Sequence, residues 1–389
     1  MNNLTTDIGF VSLNKYGEIL CGDNVEVVEY ENSMTMVLAD GLGSGVKANI
    51  LSILTSKIIA TMMANGMSLE ECVKTIASTL PQCKERQLAY STFSIIQVNN
   101  NEEAVLIQFD NPLIIMMRNG ENYRYQIEEL IIDGKKILKS IIKIMPGDIF
   151  ITLSDGAIYA GVGQTLNYGW QRDNIIKYIE ARYFPEASAK LISTIISEKC
   201  KELYADVPGD DTTVATVKVR NRQIINLMIG PPIDILAEKD VFDLFFSKAG
   251  KKIICGGTTA TIIGKYLNKP VITCLDYQDP DIPPIGKIDG IDLVTEGIVT
   301  LSRVLKYAEN FVSTDNTQSD WNDKKDAASL LCQALFVDAT DINIFVGTAI
   351  NPAHQTANIP INFDIKIRII KELTKYLEQI GKKVKLSFY

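Results

Sequence analysis

The sequence predicts an α+β domain over residues 1–222 followed by a smaller α/β domain over residues 223–389, and three observations carry that expectation. Short β-rich runs separated by turn residues precede the first helical pattern, as antiparallel strands require. A second group of such runs is closed by two helical segments and an alternating strand, which completes a layered α+β unit. Beyond residue 222 helix and strand alternate, the order that builds parallel sheets. At 389 residues the chain suits two domains, each large enough for its own core.

Taken in order, "DIGFVSLNKYGEILCGDNVEVVEYENSMTMVLAD" carries β-rich runs broken at "NKYG", "CGDN" and "ENS". From Val46 to Met63 apolar residues recur at helical spacing, at Ile50, Ile53, Leu54, Ile58 and Met62, and Gly66 ends the run. "SLEECVKTIASTL" reads as a second helix, with Ser68 as N-cap and Glu71 completing a capping box. "YSTFSIIQVN", "EAVLIQFD", "PLIIMMRNG", "ENYRYQIE" and "DIFITLSDG" follow as strands. "RDNIIKYIEARY" and "ASAKLISTIISEKCKELY" are helical, and "DDTTVATVKVR" is the closing strand.

The domain boundary is expected in "RNRQIINLMIGPP", where polar residues and the Pro231–Pro232 pair punctuate the chain. After it come helix "AEKDVFDLFFSKAG", strand "KKIIC", helix "TTATIIGKYLN", strand "PVITCLDY", strand "INIFVG" and helix "IKIRIIKELTKYLEQIG". No repeat of fixed period and no low-complexity tract interrupts this pattern.

With 46% hydrophobic and 22% charged residues and a net charge of -8, the chain reads as globular and is a poor partner for a phosphate backbone. The seven cysteines are odd in number, scattered and nowhere spaced as CxxC, which fits reduced thiols rather than a disulfide framework or a thiolate zinc site. "MNNLTTDIGF" has neither a basic region nor an apolar core, and no uncharged apolar run approaches the ~20 residues that cross a bilayer. The expectation is a cytoplasmic protein with no membrane and no nucleic-acid partner.

"VLADGLGSGVKANI", from Val37 to Ile50, runs from an apolar strand through a glycine-rich turn into a helix, as a phosphate-binding loop would. A dinucleotide fingerprint read from Gly41 needs glycine or alanine at its sixth position, where Val46 stands. No G-x-x-x-x-G-K-[ST] and no D-x-D-x-[TV] strand end occurs. With His354 as the single histidine, histidine-based metal or Ser-His-Asp chemistry has little to draw on.

The aspartates remain. Asp23 in "CGDN", Asp40 in "LADG", Asp155 in "LSDG", and Asp210 and Asp211 in "PGDD" all stand at strand ends beside glycine. Asp and Gly are common turn residues, so each site alone is ordinary. Together they can bring several carboxylates to one sheet edge, an all-oxygen donor set suited to Mg²⁺ or Mn²⁺.

The same stretches, "GD" at Asp23, "ADGLGSGVKA", "PGDIFITLSDG" and "GDDTTVATVKV", occur in the order and near the spacing of the bacterial sporulation-stage-II-E-like phosphatases. These are PP2C-type serine/threonine phosphatases of the metal-dependent class, and the resemblance spans residues 5–220. It implies a β-sandwich of two antiparallel sheets flanked by helices, with two Mn²⁺ or Mg²⁺ ions at one end. By motif, Asp40 would bridge the ions with the Gly41 carbonyl as a further ligand. Asp23 would act directly or through a water, Asp155 and Asp210 would bind the second ion, and Asp211 is an additional candidate. Hydrolysis would then proceed by attack of a metal-bridging water, with Asp40, Asp155 and Asp210 as the catalytic acids.

The resemblance also implies a phosphoserine or phosphothreonine protein as substrate, with a STAS-type anti-anti-sigma protein as the candidate. The phosphate-gripping arginine of many metazoan relatives is absent here, and "NKYGEILCGDN" offers only Lys15 nearby. The alternative is a pseudophosphatase or ligand-binding module without turnover. A homodimer formed through the apolar face of the helix behind Asp40 would couple association to metal binding.

In the second domain, Gly256, Gly257, Thr258 and Thr259 lie between a strand and a helix, where an ordinary cap and an anion site are both open readings. Asp292 and Glu296 fall one turn apart if "GIDLVTEGIVTLSRVL" is helical throughout, and His354 falls in a loop after an apolar strand. A sensing or partner-binding module is the expectation for this domain.

Overall fold

The computed structural model describes residues 3–30, 32–79, 91–273, 281–313, 321, 324–349 and 361–389. The chain divides into two compact units, Met1–Asn221 and Arg222–Tyr389.

The first unit begins with strands β1 (Leu4–Leu13), β2 (Asp23–Tyr30) and β3 (Ser33–Gly41), then helices α1 (Gly45–Ala64) and α2 (Leu69–Thr79). Strands β4 (Ser91–Asn99), β5 (Glu103–Phe109), β6 (Ile115–Arg118), β7 (Glu121–Asn122), β8 (Glu128–Ile132), β9 (Lys135–Lys143) and β10 (Ile149–Leu153) follow. A short helix α3 (Asp155–Ile158), helices α4 (Arg172–Glu180) and α5 (Ala189–Leu203), and strand β11 (Thr212–Asn221) complete it.

These strands form two sheets, ordered β1-β11-β10-β6-β7 and β2-β3-β4-β5-β9-β8, and every strand pairing within them is antiparallel. Met36, Ile96, Leu106, Phe150 and Val217 fill the space between the sheets. On one outer face, Val37, Ile95 and Ile107 meet α1 and α2; on the other, Ile149, Ile151 and Val214 meet α4 and α5. The central strands are covered on both faces, which is why β3 reads as a continuous apolar run rather than an alternating one. The unit is thus an α+β sandwich of two antiparallel sheets flanked by helices.

Two local readings of the sequence are corrected by the fold. The hairpin β8–β9 lies in a stretch for which no strand was expected, although its turn residues Asp133 and Gly134 carry φ of +49° and +72°, the conformation that makes Asp-Gly a hairpin signal. "ENYRYQIE" contributes the two-residue strand β7 and the first residue of β8. The capping box of α2 forms as read, with the Ser68 amide donating to Glu71 Oε2 at 2.8 Å.

Helix α1 forms as read, and the side it buries is the one with small residues. Of its apolar residues, Val46, Ile50, Ile53 and Leu54 face outward, Ile50 being 51% and Leu54 43% exposed, whereas Ile58 and Met62 are half-buried against the core. The buried face is Ala48, Leu51, Ser52, Thr55, Ser56, Ile59, Ala60 and Met63. Close approach explains the choice of small residues, since a Cβ placed on Gly41 would lie 2.1 Å from the Ala48 carbonyl oxygen. Two of the hydroxyls buried there are used locally: Ser52 Oγ donates to the Asn49 carbonyl at 3.0 Å, and Ser56 Oγ donates to the Ser52 carbonyl at 2.8 Å and accepts from Asn24 Nδ2 at 2.7 Å. This is the one described helix long and apolar enough to span a bilayer, and it carries Lys47 and Lys57.

The second unit contains strand β12 (Ile224–Ile229), helix α6 (Glu238–Ser247), strand β13 (Lys251–Cys255), helix α7 (Gly257–Leu267) and strands β14 (Ile272–Thr273), β15 (Gly286–Lys287) and β16 (Leu293–Thr295). Helices α8 (Ile298–Ser313) and α9 (Ala327–Cys332), strand β17 (Asp341–Val346), helix α10 (Ile361–Gln379) and strand β18 (Lys383–Phe388) follow. Strands β16-β13-β12-β17-β18 are parallel neighbours, an order of 3-2-1-4-5 in chain sequence, and β14–β15 form an antiparallel edge. Leu227 and Ile253 face α8, α9 and α10, while Met228 and Ile254 face α6 and α7, so the sheet is doubly wound.

Here too the sequence reading needs correction. The division between Asn221 and Arg222 falls within "RNRQIINLMIGPP", but the same stretch also contains the central strand β12, because β11 and β12 are separated by Arg222 and Gln223 alone. Asp292 and Glu296 flank strand β16 rather than sharing a helical turn. Of the "PVITCLDY" strand, Ile272–Thr273 form β14, and Cys274 to Tyr277 lie outside the described residues. His354 also lies outside them.

Candidate metal centre

Strand ends determine where the acids meet. Asp23 opens β2 and stands directly opposite Asp40 at the end of β3. In the other sheet β10 ends at Leu153, its register partner being Val214 near the start of β11, so Asp155 leaves one strand where Asp210 and Asp211 enter its neighbour. The Ser154 amide donates to the Thr213 carbonyl at 3.0 Å and the Thr213 amide to Ser154 Oγ at 2.8 Å, which pins these two ends together.

The acids share one electrostatic field. Burial, followed by the charges of Asp23, Asp155, Asp210 and Asp211, pushes the Asp40 carboxyl up to about 9. Burial is also the main reason the Asp23 carboxyl rises to about 7, with Asp211 and Asp155 adding to it. Asp155 is raised by burial and then by Asp210. The hydroxyls of Ser154 and Thr213 lie close enough to soften the rise at Asp23, yet both Asp23 oxygens lack a hydrogen-bond partner of ordinary geometry. Thr213 Oγ1 donates instead to Ser12 Oγ at 2.8 Å.

Asp210 and Asp211 differ in a way their sequence does not reveal. Asp211 is 4% exposed, accepts from the Lys15 amide at 3.0 Å through Oδ1, and has no partner for Oδ2. The Asp210 side chain is 48% exposed; its Oδ1 accepts from the Asp211 amide at 3.0 Å and lies 3.7 Å from Lys15 Nζ. Among the described ion pairs, that contact is the one that brings a cation to the cluster. Lys15 belongs to the loop between β1 and β2, which is anchored by the Tyr16 amide on the Pro208 carbonyl at 2.8 Å and by Asn49 Nδ2 on the Cys21 carbonyl at 2.8 Å.

Glycines close the approach. Gly41 carries α1 against the end of β3, while Gly43 and Gly45, at φ of +101° and +70°, make the turn that lets the helix start there. The Cys21 thiol, beside Asp23, is pushed up to about 12 by burial and then by that acid, and so stays protonated.

The donor set suits a hard divalent cation: buried, like-charged carboxylates with orphaned oxygens on Asp23 and Asp211. Among the described residues no three acidic, histidine or cysteine side chains are already closed into a cage, so the fit rests on charge, burial and unsatisfied oxygens.

In the second unit Gly256, at φ of +124°, and Gly257 open α7 at the carboxyl end of β13, with Thr259 buried behind them and Thr258 already engaged in an interaction. Glu296 reaches the same helix end, its Oε1 lying 2.9 Å from where a Cβ on Gly257 would sit. A negative side chain therefore stands where an anion would approach.

Residues 30–220 match the family described as stage II sporulation protein E. Similar solved structures include the phosphatase domain of the cell fate determinant SpoIIE from Bacillus subtilis, at 18% identity and a TM-score of 0.45 over 57% of this chain and 95% of that one. The RsbU and RsbW domains of a Mycobacterium tuberculosis protein are 16% identical, with a TM-score of 0.45 over 56% of this chain and 60% of that one. RsbX, solved in complex with magnesium, is 21% identical, with a TM-score of 0.38 over 56% of this chain and 95% of that one. No curated protein matches the chain. Through residues 30–220, the first unit belongs to the stage II sporulation protein E family of PP2C-type phosphatase domains.

Proposed function

We propose that the first unit is a metal-dependent serine/threonine protein phosphatase that hydrolyses a phosphoserine or phosphothreonine monoester in bacterial signalling. The observation that carries this reading is the convergence of Asp23, Asp40, Asp155, Asp210 and Asp211 at one end of the sandwich, with buried carboxylate oxygens left unpaired. Asp23, Asp40 and the Gly41 carbonyl from one sheet, and Asp155, Asp210 and Asp211 from the other, would hold two Mn²⁺ or Mg²⁺ ions. Bound there, such ions supply an activated water and neutralise the phosphoryl oxygens.

The chain's own contribution is placement. The β2–β3 register sets Asp23 against Asp40, and the Ser154–Thr213 bonds hold Asp155 near Asp210. Lys15 Nζ, half-exposed beside Asp210, is the side chain available to meet a phosphate entering from solvent. Mn²⁺-dependent hydrolysis of p-nitrophenyl phosphate and of a phosphoserine protein of the STAS type, abolished by EDTA, is the test. Binding of such a phosphoprotein without turnover in Mn²⁺ would make the chain a pseudophosphatase.

We further propose that two copies associate through the outward face of α1, where Val46, Ile50, Ile53 and Leu54 form an exposed apolar stripe on the helix that backs onto the Asp40 turn. Ile53→Asp is expected to shift the protein to monomer in sedimentation velocity and to weaken Mn²⁺ affinity, with little change in melting temperature. A variant unchanged in both association and metal affinity would refute the coupling.

For the second unit we propose a sensing or partner-binding role, supported by its parallel sheet, in which β12 and β17 lie side by side where the strand order reverses. A chain truncated after residue 222 is expected to keep metal-dependent hydrolysis and lose its regulation, and unchanged regulation in cells would overturn the assignment. The free cysteines among the described residues support a cytoplasmic location, which cell fractionation would test.

A further inference from the structure

Tyr204, at the C terminus of α5, is 3% exposed and packs in the core with Leu153, Ala157 and Val214. Its hydroxyl donates to the Gly156 carbonyl at 2.8 Å, both groups being buried. Gly156 directly follows Asp155 and is pressed onto the neighbouring segment: a Cβ there would lie 2.2 Å from the Asp211 carbonyl oxygen and 2.6 Å from Thr212 Oγ1. The ring of the same phenol borders the second turn: a Cβ on Gly209, one residue before Asp210, would be in ordinary van der Waals contact with ring atom Cε1 at 3.5 Å. Thr212 Oγ1 donates to the Asp210 carbonyl at 3.1 Å and closes the circuit.

One buried side chain therefore bonds the turn that carries Asp155 and borders the turn that carries Asp210, while it meets neither carboxylate through a hydrogen bond. We propose that Tyr204 is a positioning residue of the metal centre, its hydroxyl and ring fixing the Asp155 turn against the Asp210 turn. The role rests on the two-ion reading of these acids. Burial pushes the phenol up to about 12, so it remains a donor to Gly156 across the working pH range. A carbonyl held from behind cannot swing, and the carboxylate one residue earlier keeps its direction; groups that orient metal ligands in this way are commonly worth about 10- to 100-fold in metal affinity.

The test compares Mn²⁺ titrations by calorimetry of the full-length wild type, Tyr204→Phe and Tyr125→Phe. Tyr125 is the control: it is half-buried, its hydroxyl donates to the Ile114 carbonyl at 2.6 Å, and its charged neighbour is Arg172 rather than the acids. Tyr204→Phe is expected to weaken Mn²⁺ binding about tenfold and to raise the Mn²⁺ needed for half-maximal hydrolysis in step, with KM for p-nitrophenyl phosphate unmoved at saturating metal. Its melting temperature in EDTA should fall no further than that of Tyr125→Phe, which keeps wild-type Mn²⁺ affinity.

Equal Mn²⁺ affinity in Tyr204→Phe and wild type, or equal weakening in the control, overturns the assignment and leaves the metal centre standing. A wild type that binds no Mn²⁺ overturns both. If Tyr204→Phe does not fold, 3-fluorotyrosine at position 204 keeps the ring and changes the donor strength. A shifted Mn²⁺ affinity then supports the role, and an unchanged one refutes it.

Discussion

Asp40→Asn is expected to lose hydrolysis of p-nitrophenyl phosphate by about a hundredfold or more while making the metal-free protein more stable. The loss follows from the proposed place of Asp40 between the ions, since even residues that merely orient ligands are worth about 10- to 100-fold. The gain follows from its surroundings. Burial and four neighbouring acids push the Asp40 carboxyl to about 9, so at neutral pH the folded protein must either hold a proton there or bear a buried charge.

The sign of the accompanying pH dependence is fixed by linkage. A carboxyl whose folded pKa is about 9 and whose ordinary value is 3.8 keeps a proton that the unfolded chain releases, so stability falls as pH rises between those values. In EDTA the wild-type melting temperature should therefore decline from pH 5 to pH 9, and Asp40→Asn should flatten much of that decline. Saturating Mn²⁺ should flatten the wild-type curve as well, because ligation favours the deprotonated carboxylates. A wild-type melting temperature in EDTA that rises with pH would show that the acids do not repel one another in the fold, and full activity in Asp40→Asn would remove Asp40 from catalysis.

Gly41→Ala should damage both stability and activity, for a reason independent of charge. An added Cβ would lie 2.1 Å from the Ala48 carbonyl oxygen and 2.9 Å from Ala48 Cα, so backbone rather than a pliable side chain must give way. Overpacking of this kind costs about 3 kcal/mol at the upper end of its usual range. For a domain of this size that is a fall of roughly 6–12 °C in melting temperature. Pushing α1 off the end of β3 also displaces the turn beside Asp40, so Mn²⁺ affinity should drop as well. Gly43→Ala makes a useful comparison: its φ of +101° strains an alanine, but nothing lies within 4 Å of the added Cβ. Equal thermal and metal-binding losses in the two variants would show that strain, not the contact with Ala48, decides the effect.

Much of the first unit was legible because its signals are local. Acids and glycines at the ends of apolar runs mark strand termini, and the capping box at Ser68 and Glu71 forms as its spacing requires. The second unit's central strand escaped notice because "QIINLMI" adjoins polar residues and a proline pair, and a six-residue buried strand carries no periodicity to separate it from a linker. Asp133 and Gly134 did carry a hairpin signal, one overshadowed by the mixed apolar and lysine character of the strands around them.

The α1 helix shows the limit most clearly. Its pattern of Ile50, Ile53, Leu54, Ile58 and Met62 marks a helix, but the spacing does not say which side is buried. The fold leaves Ile50, Ile53 and Leu54 outward and half-buries Ile58 and Met62, because Gly41 and Ala48 bring helix and strand together at a distance that favours small side chains such as Ser52, Thr55, Ser56 and Ala60. What a chain position tolerates there depends on the distance to another segment, which no local pattern encodes.

By itself the sequence determined the element types over most of the chain, the presence of aspartates at four strand ends, and the oxygen-rich chemistry they can support. Tertiary structure alone decided that those ends meet at one edge of a sandwich, that Asp211 is buried and Asp210 half-exposed, and that Tyr204 stands behind both turns. The physical reason is that strand ends and glycine turns are set by neighbours in the chain, whereas burial, mutual charge and close approach are set by pairings between segments far apart in it, such as β2 with β3 and β10 with β11.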